Sequence, residues 1–220
     1  MAKDWVRKEL KTEPLSNFVE KSVRWVIAHR ELTLSLLGTG VIVCGVIIYF
    51  ISHLKKVDAR AWQRLSLAQA YHQRRLENEA LNLYNEILDR YQRSSAFGHA
   101  LFYKAELFYQ QKKYHEAAEI YQNFIQQNKR KKYLLPLACA GLGASLEGEN
   151  NYLQAINAYQ EFINKFPEHF LTPAIYLSLA NCYQGNGQKN EAMNIYEKII
   201  TSYPGSNWQK MAENHLKILK

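Results

Sequence analysis

Catalytic signatures are missing from this chain. There is no His-Glu-x-x-His pair, no Gly-x-Ser-x-Gly turn and no phosphate loop; Gly185-Asn186-Gly187 lacks the Lys-Ser/Thr such a loop needs. The seven histidines, His29, His53, His72, His99, His115, His169 and His215, fall into no metal-ligand spacing. Cysteine is scarce: Cys44, Cys139 and Cys182 are three in number with no Cys-x-x-Cys, which excludes a disulfide framework or a structural zinc site. Cys139 and Cys182 lie on apolar stretches, where a free thiol packs as a small core residue. Charge is not concentrated either. The net +8 divides into +2 through Glu31 (seven basic, five acidic) and +6 from Leu54 onward (21 basic, 15 acidic). The densest basic run, Lys129-Arg130-Lys131-Lys132, reads as a solvated loop and not as the stripe of a nucleic-acid binder. These absences argue against an enzyme, and no cofactor, metal or nucleic acid is expected.

A different absence is informative in itself. Residues 32–53 contain no Asp, Glu, Lys or Arg, and Val41-Ile42-Val43-Cys44-Gly45-Val46-Ile47-Ile48-Tyr49-Phe50-Ile51 is apolar on every side of a helix. About 20 such residues cross the ~30 Å hydrocarbon core of a bilayer, so residues 32–54 are expected to form one transmembrane helix. The run is too long and starts too late for a cleavable signal, and Ala59-Arg60-Ala61 stands behind the charged pair Lys55-Lys56. Cys44 follows Val43 in mid-run, unlike a lipid-attachment cysteine. Lys11, Lys21, Arg24 and Arg30 before the span match Lys55, Lys56, Arg60 and Arg64 after it, so local charge does not set the orientation. Long domains are translocated largely regardless of charge, which favours residues 1–31 inside and the large domain outside. Within 1–31, Leu15, Phe18, Val19, Val23, Trp25, Val26 and Ile27 share one face of an amphipathic helix suited to the membrane interface.

The remainder repeats. Leu67-Ala68-x-x-Tyr71 precedes Ala80-x-x-x-Tyr84; Ala105-x-x-Phe108 precedes Ala117-x-x-x-Tyr121; Leu142-Gly143-x-x-Leu146 precedes Ala155-x-x-x-Tyr159; Leu179-Ala180-x-x-Tyr183 precedes Ala192-x-x-x-Tyr196. The alanines are 37, 38 and 37 residues apart. Each unit places a small residue about 12 positions before its alanine and a tyrosine four after it, as two closely packed antiparallel helices require. Breakers mark the turns at Glu149-Asn150-Asn151 and Gly185-Asn186-Gly187-Gln188, and Pro167 and Pro204 end the last two units.

This pattern resembles the tetratricopeptide repeat, with Arg64 at a position where that family usually has a large apolar residue. The resemblance implies an all-α chain: a right-handed α-solenoid of about four helix pairs over 55–205 (58–94, 95–132, 133–169 and 170–205), behind the transmembrane helix. Residues 206–220, with Trp208, Met211, Ala212, His215, Leu216 and Leu219 at helical spacing, form a C-terminal capping helix with Ser206 as its N-cap.

Carried over residue by residue, the family pattern puts a protein-binding groove on the first helix of each unit. It implies Trp62, Leu65, Gln69 and His72; His99, Phe102, Glu106 and Tyr109; Leu137, Ala140, Ala144 and Glu147; and Ala174, Leu177, Asn181 and Gln184. The Lys and Asn positions with which some relatives clamp a terminal carboxylate hold Leu65, Gln69, Phe102 and Glu106 here, which disfavours that specialised ligand. One span ahead of repeats of this length resembles the ancillary subunit of the SecYEG translocon and the envelope cell-division coordinators. That likeness implies a scaffold of the bacterial inner membrane with a periplasmic repeat domain, partnered by translocon components, envelope chaperones or exported clients. A structural coordinator of cell-wall or outer-membrane assembly and a cytosol-facing adaptor are the alternatives.

Overall fold

The computed structural model describes residues 14–127 and 133–219, with side chains from residue 18 onward. The basic run Lys129-Arg130-Lys131-Lys132 and residues 1–13 lie outside the described residues. Ten helices and no strand occur among the described residues: α1 Pro14–Ala28, α2 Arg30–Gln73, α3 Glu77–Arg90, α4 Phe97–Gln110, α5 Tyr114–Gln127, α6 Leu135–Gly148, α7 Tyr152–Lys165, α8 Thr172–Gly185, α9 Lys189–Ser202 and α10 Asn207–Leu219. The chain divides into two compact units, 1–56 and 57–220.

In the first unit nothing from residue 18 to 56 is buried. Within α2, 44 residues long, lies a stretch long and apolar enough to cross a membrane by length and composition. Its Val41, Ile42 and Tyr49 are each about two-thirds or more exposed. Thr33, Ser35 and Thr39 turn their hydroxyls back onto backbone carbonyls of the same helix, so these three hydroxyls need no water. On α1, Phe18, Val19, Val23, Trp25, Val26 and Ile27 are all exposed.

The second unit is a succession of helix pairs: from α3 onward each helix packs on the next, and Ala61, Leu65 and Ala68 of α2 share a core with Ala80, Tyr84 and Ile87 of α3. The repeated residues account for this directly. The small residues Ala68, Ala105 and Ala180 and the alanines Ala80, Ala117, Ala155 and Ala192 are fully buried, and Gly143 takes the small position in the third pair. Tyr84, Tyr121, Tyr159 and Tyr196 lie beside them, followed three residues later by Ile87, Phe124, Phe162 and Ile199. Small side chains bring the backbones together, and the ring and branched side chains fill the remaining gap at crystal-like density. Gly141 and Gly143 make the tightest of these approaches: a Cβ on Gly141 would fall 2.5 Å from Tyr121 Cζ, and one on Gly143 would overlap the Tyr159 ring.

The turn inside each pair repeats as closely as the core. Arg75, Lys112, Asn150 and Gly187 adopt left-handed backbone, with φ of 60°, 60°, 60° and 77°. The next residue's N–H reaches back five residues in each case, Leu76 to Tyr71, Lys113 to Phe108, Asn151 to Leu146 and Gln188 to Tyr183, at 2.8–2.9 Å. This is a Schellman closure, which satisfies the last carbonyls of the first helix. Only the fourth turn uses glycine at the left-handed position. Arg64, at the position expected to be apolar, stays exposed and pairs with Glu86 at 3.4 Å. At the start of α10, Ser206 Oγ accepts from Gln209 N–H at 3.2 Å, an N-cap bond.

Candidate protein-binding groove

The first helices of successive pairs touch: α4 packs on α6, and α6 on α8. Side chains on that shared face enclose a hollow of about 400 Å³ lined by Phe102, Glu106 and Tyr109 of α4, Leu137, Ala140, Gly141 and Ala144 of α6, and Leu171, Ala174, Ile175 and Ser178 at α8. A neighbouring hollow of about 530 Å³ continues toward the first pair through Gln69, His72, Gln73, Arg75, Tyr103 and Gln110, sharing Phe102 and Glu106. The two form one groove because Phe102 and Glu106 stand between them.

Of the groove residues expected from sequence, some line the hollows and others, Glu147 among them, do not. Gln69, His72, Phe102, Glu106, Tyr109 and Leu137 are brought together along the hollows, with Ala140, Ala144 and Ala174. Phe102 is only 6% exposed and packs edge-on against Tyr121 and Phe124, so it forms floor and not rim. Trp62 and His99 lie elsewhere: their rings meet at a tilt with centroids 4.8 Å apart, Trp62 Nε1 donates to Ser95 Oγ at 2.8 Å, and His99 Nε2 meets the Tyr133 hydroxyl. Leu65, placed on the groove by the repeat register, is 1% exposed and belongs to the core around Tyr84. The register predicts which face a residue takes, but not how far the neighbouring helix covers that face. Leu177 is half-buried against the core, Asn181 accepts from Tyr196 Oη at 2.8 Å, and Gln184 is exposed; none of the three lines the hollows.

Sequence reasoning treated the repeated tyrosines as packing and missed their hydroxyls. Tyr121 Oη donates to Glu106, and Tyr159 Oη to Glu147 Oε2 at 2.7 Å. Both rings pass beside the glycine backbone of α6 and reach the hollow from the second helix of their own pairs. The signal was present: a tyrosine stands at all four equivalent positions, where phenylalanine would fill the same volume. Tyr84 is the exception, since its buried hydroxyl has no partner among the described residues. Burial is the main reason that the Tyr121 and Tyr159 phenols are held well above their ordinary value, with the adjoining carboxylates adding to it. Burial also raises Glu147, a rise that the Tyr159 hydrogen bond partly offsets.

A third hollow of about 500 Å³ lies between α5 and α7, with Ala118, Leu142, Leu146 and Ala158 beneath a rim of His115, Glu119, Glu149 and Glu161. His115 Nδ1 is 3.0 Å from Glu149 and its Nε2 is 3.6 Å from Glu119. Among the described residues no cluster of His, Cys, Asp and Glu could hold a metal ion. The three cysteines are free, and burial pushes the Cys139 and Cys182 thiols up to about 11 and about 12, so both stay protonated packing groups.

Comparison with known proteins agrees with this architecture. The tetratricopeptide repeat family model matches residues 99–129, 141–169 and 174–206, which are the pairs α4–α5, α6–α7 and α8–α9. No curated protein matches the sequence. Among solved structures, nearly identical TPR-like repeats ascribed to a Podosopora anserina kinesin light chain superpose with a TM-score of 0.60 at 16% identity, covering 74% of this chain and 86% of that one. MamA from Desulfovibrio magneticus RS-1, from residue 41 to its end, gives a TM-score of 0.60 at 16% identity over 72% of this chain and 82% of that one. At such identity the likeness is one of fold. The pair formed by α3 and the part of α2 in the second unit lies outside the family match, yet it buries the same small, alanine and tyrosine positions. With period, core and turns all of one kind, residues 99–206 of this chain carry tetratricopeptide repeats, a repeat type that implies protein partners in general.

Proposed function

We propose that the chain is a membrane-anchored scaffold: residues 32–54 span a bilayer once, and the repeats hold protein partners beside it, along the groove of α4, α6 and α8. The observation that carries the proposal is the pairing of an uncharged apolar stretch, none of it buried, with tetratricopeptide repeats in one chain. Hydrocarbon is the solvent in which such a stretch carries no penalty. The setting proposed is a bacterial inner membrane, with the repeats on the periplasmic side. There they would assist translocon-linked or chaperone-linked handling of exported proteins, on the strength of the span-then-repeats layout.

Two measurements test this. Alkaline phosphatase fused after residue 220 is expected to be active, and inactivity would place the repeats in the cytosol and make the chain an adaptor there. Crosslinking in intact membranes, followed by identification of the attached proteins, is expected to recover translocon components or envelope chaperones. Recovery of cell-wall or outer-membrane assembly proteins instead would favour the structural coordinator.

A further inference from the structure

Two half-buried carboxylates of the repeat unit, Glu106 and Glu147, share an environment that no other acid among the described residues has. Each is fixed by a tyrosine hydroxyl that comes through from the second helix of a pair, Tyr121 and Tyr159 respectively. Neither has a cationic partner among the described residues, where the ion pairs use Glu20, Glu86, Glu119, Glu149 and Glu161. Glu106 lines the groove, and Glu147 is tied to it through Tyr159, whose ring lines the same hollow. Around that place the wall is apolar and aromatic: Phe102, Tyr109, Leu137 and Ala140.

A carboxylate kept partly out of water without a counter-charge is a standing electrostatic deficit. A tyrosine hydroxyl satisfies one oxygen and supplies no positive charge. Neither acid is demanded by the repeat: Gln69 and Ala144 stand at the positions equivalent to Glu106, and His72, Tyr109 and Gln184 at those equivalent to Glu147. A side chain with an aliphatic stem and a cationic head fits the wall and the carboxylates together. Its stem lies along Phe102 and Leu137 while its head reaches the acids and the Tyr109 face. We propose that this groove recognises a partner segment through an arginine or lysine flanked by apolar residues, seated between Glu106 and Glu147. The ligand class is the reverse of an acidic chain terminus. It rests on the groove being the protein-binding surface, as proposed above.

The test uses the full chain in detergent micelles and three peptide sub-libraries, randomised at apolar positions and carrying Arg, Gln or Glu at the centre. Hydrogen bonds to a charged group in such a site predict about tenfold or greater enrichment of the Arg set over the Gln set, and the Glu set is expected to be depleted. The Glu106→Gln/Glu147→Gln double variant retains an acceptor for both tyrosines and should fold normally by circular dichroism. It is expected to lose the preference for Arg, enriching the Arg and Gln sets to the same extent. Equal enrichment of all three sets would overturn the cation inference and leave the groove reading standing. Enrichment of none above empty micelles would remove both. A wild-type chain that is dimeric, with the dimer lost in the double variant, would assign the groove to a second copy and overturn the proposal.

Discussion

Two stretches of this chain are almost free of charge and end up in opposite environments. Residues 32–53 carry no Asp, Glu, Lys or Arg, and α6 carries only Glu147 in its 14 residues. None of the first stretch is buried, whereas Pro136, Ala138, Cys139, Gly143, Ser145 and Leu146 of α6 are. Length separates them first: 14 residues of helix rise about 21 Å, short of a ~30 Å bilayer core. Side-chain size separates them second. Residues 41–51 are mostly Val, Ile and aromatics, which present broad apolar surface, whereas α6 is rich in Ala, Gly, Cys and Ser, which let neighbouring helices close on it. Hydrophobicity alone therefore names neither the solvent nor the partner of a helix.

The comparison can be broken or sharpened by substitution. The largest effect is expected in the packed unit. Phe162→Ala removes a fully buried ring at the repeated core position and should lower stability by about 3–5 kcal/mol, read from thermal or urea unfolding followed by circular dichroism. Next comes the apolar stretch, where Val46→Arg should cost about 3 kcal/mol of insertion free energy and release the chain from membranes on alkaline carbonate extraction. Gln122→Arg, on an exposed face of α5, should leave both measurements within about 0.5 kcal/mol of the parent. If Val46→Arg proves equally silent, the stretch is not a span.

Within the repeats the hydroxyls supply a finer contrast. Tyr159→Phe abandons the bond to Glu147 and should cost about 1–2 kcal/mol, while Tyr84→Phe removes an unpartnered hydroxyl and should be neutral or slightly stabilising. Lys112→Gly relieves a side chain held at φ 60° and should add about 1 kcal/mol, bringing the second turn into line with the glycine turn at Gly187.

A small, pH-dependent effect concerns Glu147, whose carboxyl is raised above its ordinary 4.5, mainly by burial. The folded chain therefore holds this proton more readily than the unfolded chain. The contribution favours folding below the ordinary value and is lost as pH rises through the raised one. Glu147→Gln should remove that slope, so that unfolding midpoints of parent and variant differ at neutral pH by less than about 1 kcal/mol in the variant's favour and lose that difference in acid.

Much of the fold was legible because repetition supplies its own control. Ala80, Ala117, Ala155 and Ala192, with a tyrosine four residues after each, align against one another by spacing alone, and all eight prove buried. The groove was legible in part. Phe102, Glu106, Tyr109 and Leu137 meet as their register implies, because residues three and four apart share a helical face. Leu65 does not, because α3 and its neighbours cover it, and no spacing reports the depth of a neighbouring helix. The left-handed turns at Arg75 and Lys112 were invisible for a related reason: neither residue type announces positive φ, and the closure is imposed by the helices on either side.

By itself, then, the sequence determined the period, the helix faces and the uncharged stretch, since each follows from local order along the chain: apolar spacing, small residues and breakers. Only the tertiary structure decided that Tyr121 and Tyr159 reach past the α6 glycines, the one to hold Glu106 in the groove and the other to hold Glu147 beside it. That meeting joins residues 12 and 15 positions apart on different helices. Such contacts depend on how closely two backbones approach, a quantity set by packing in three dimensions.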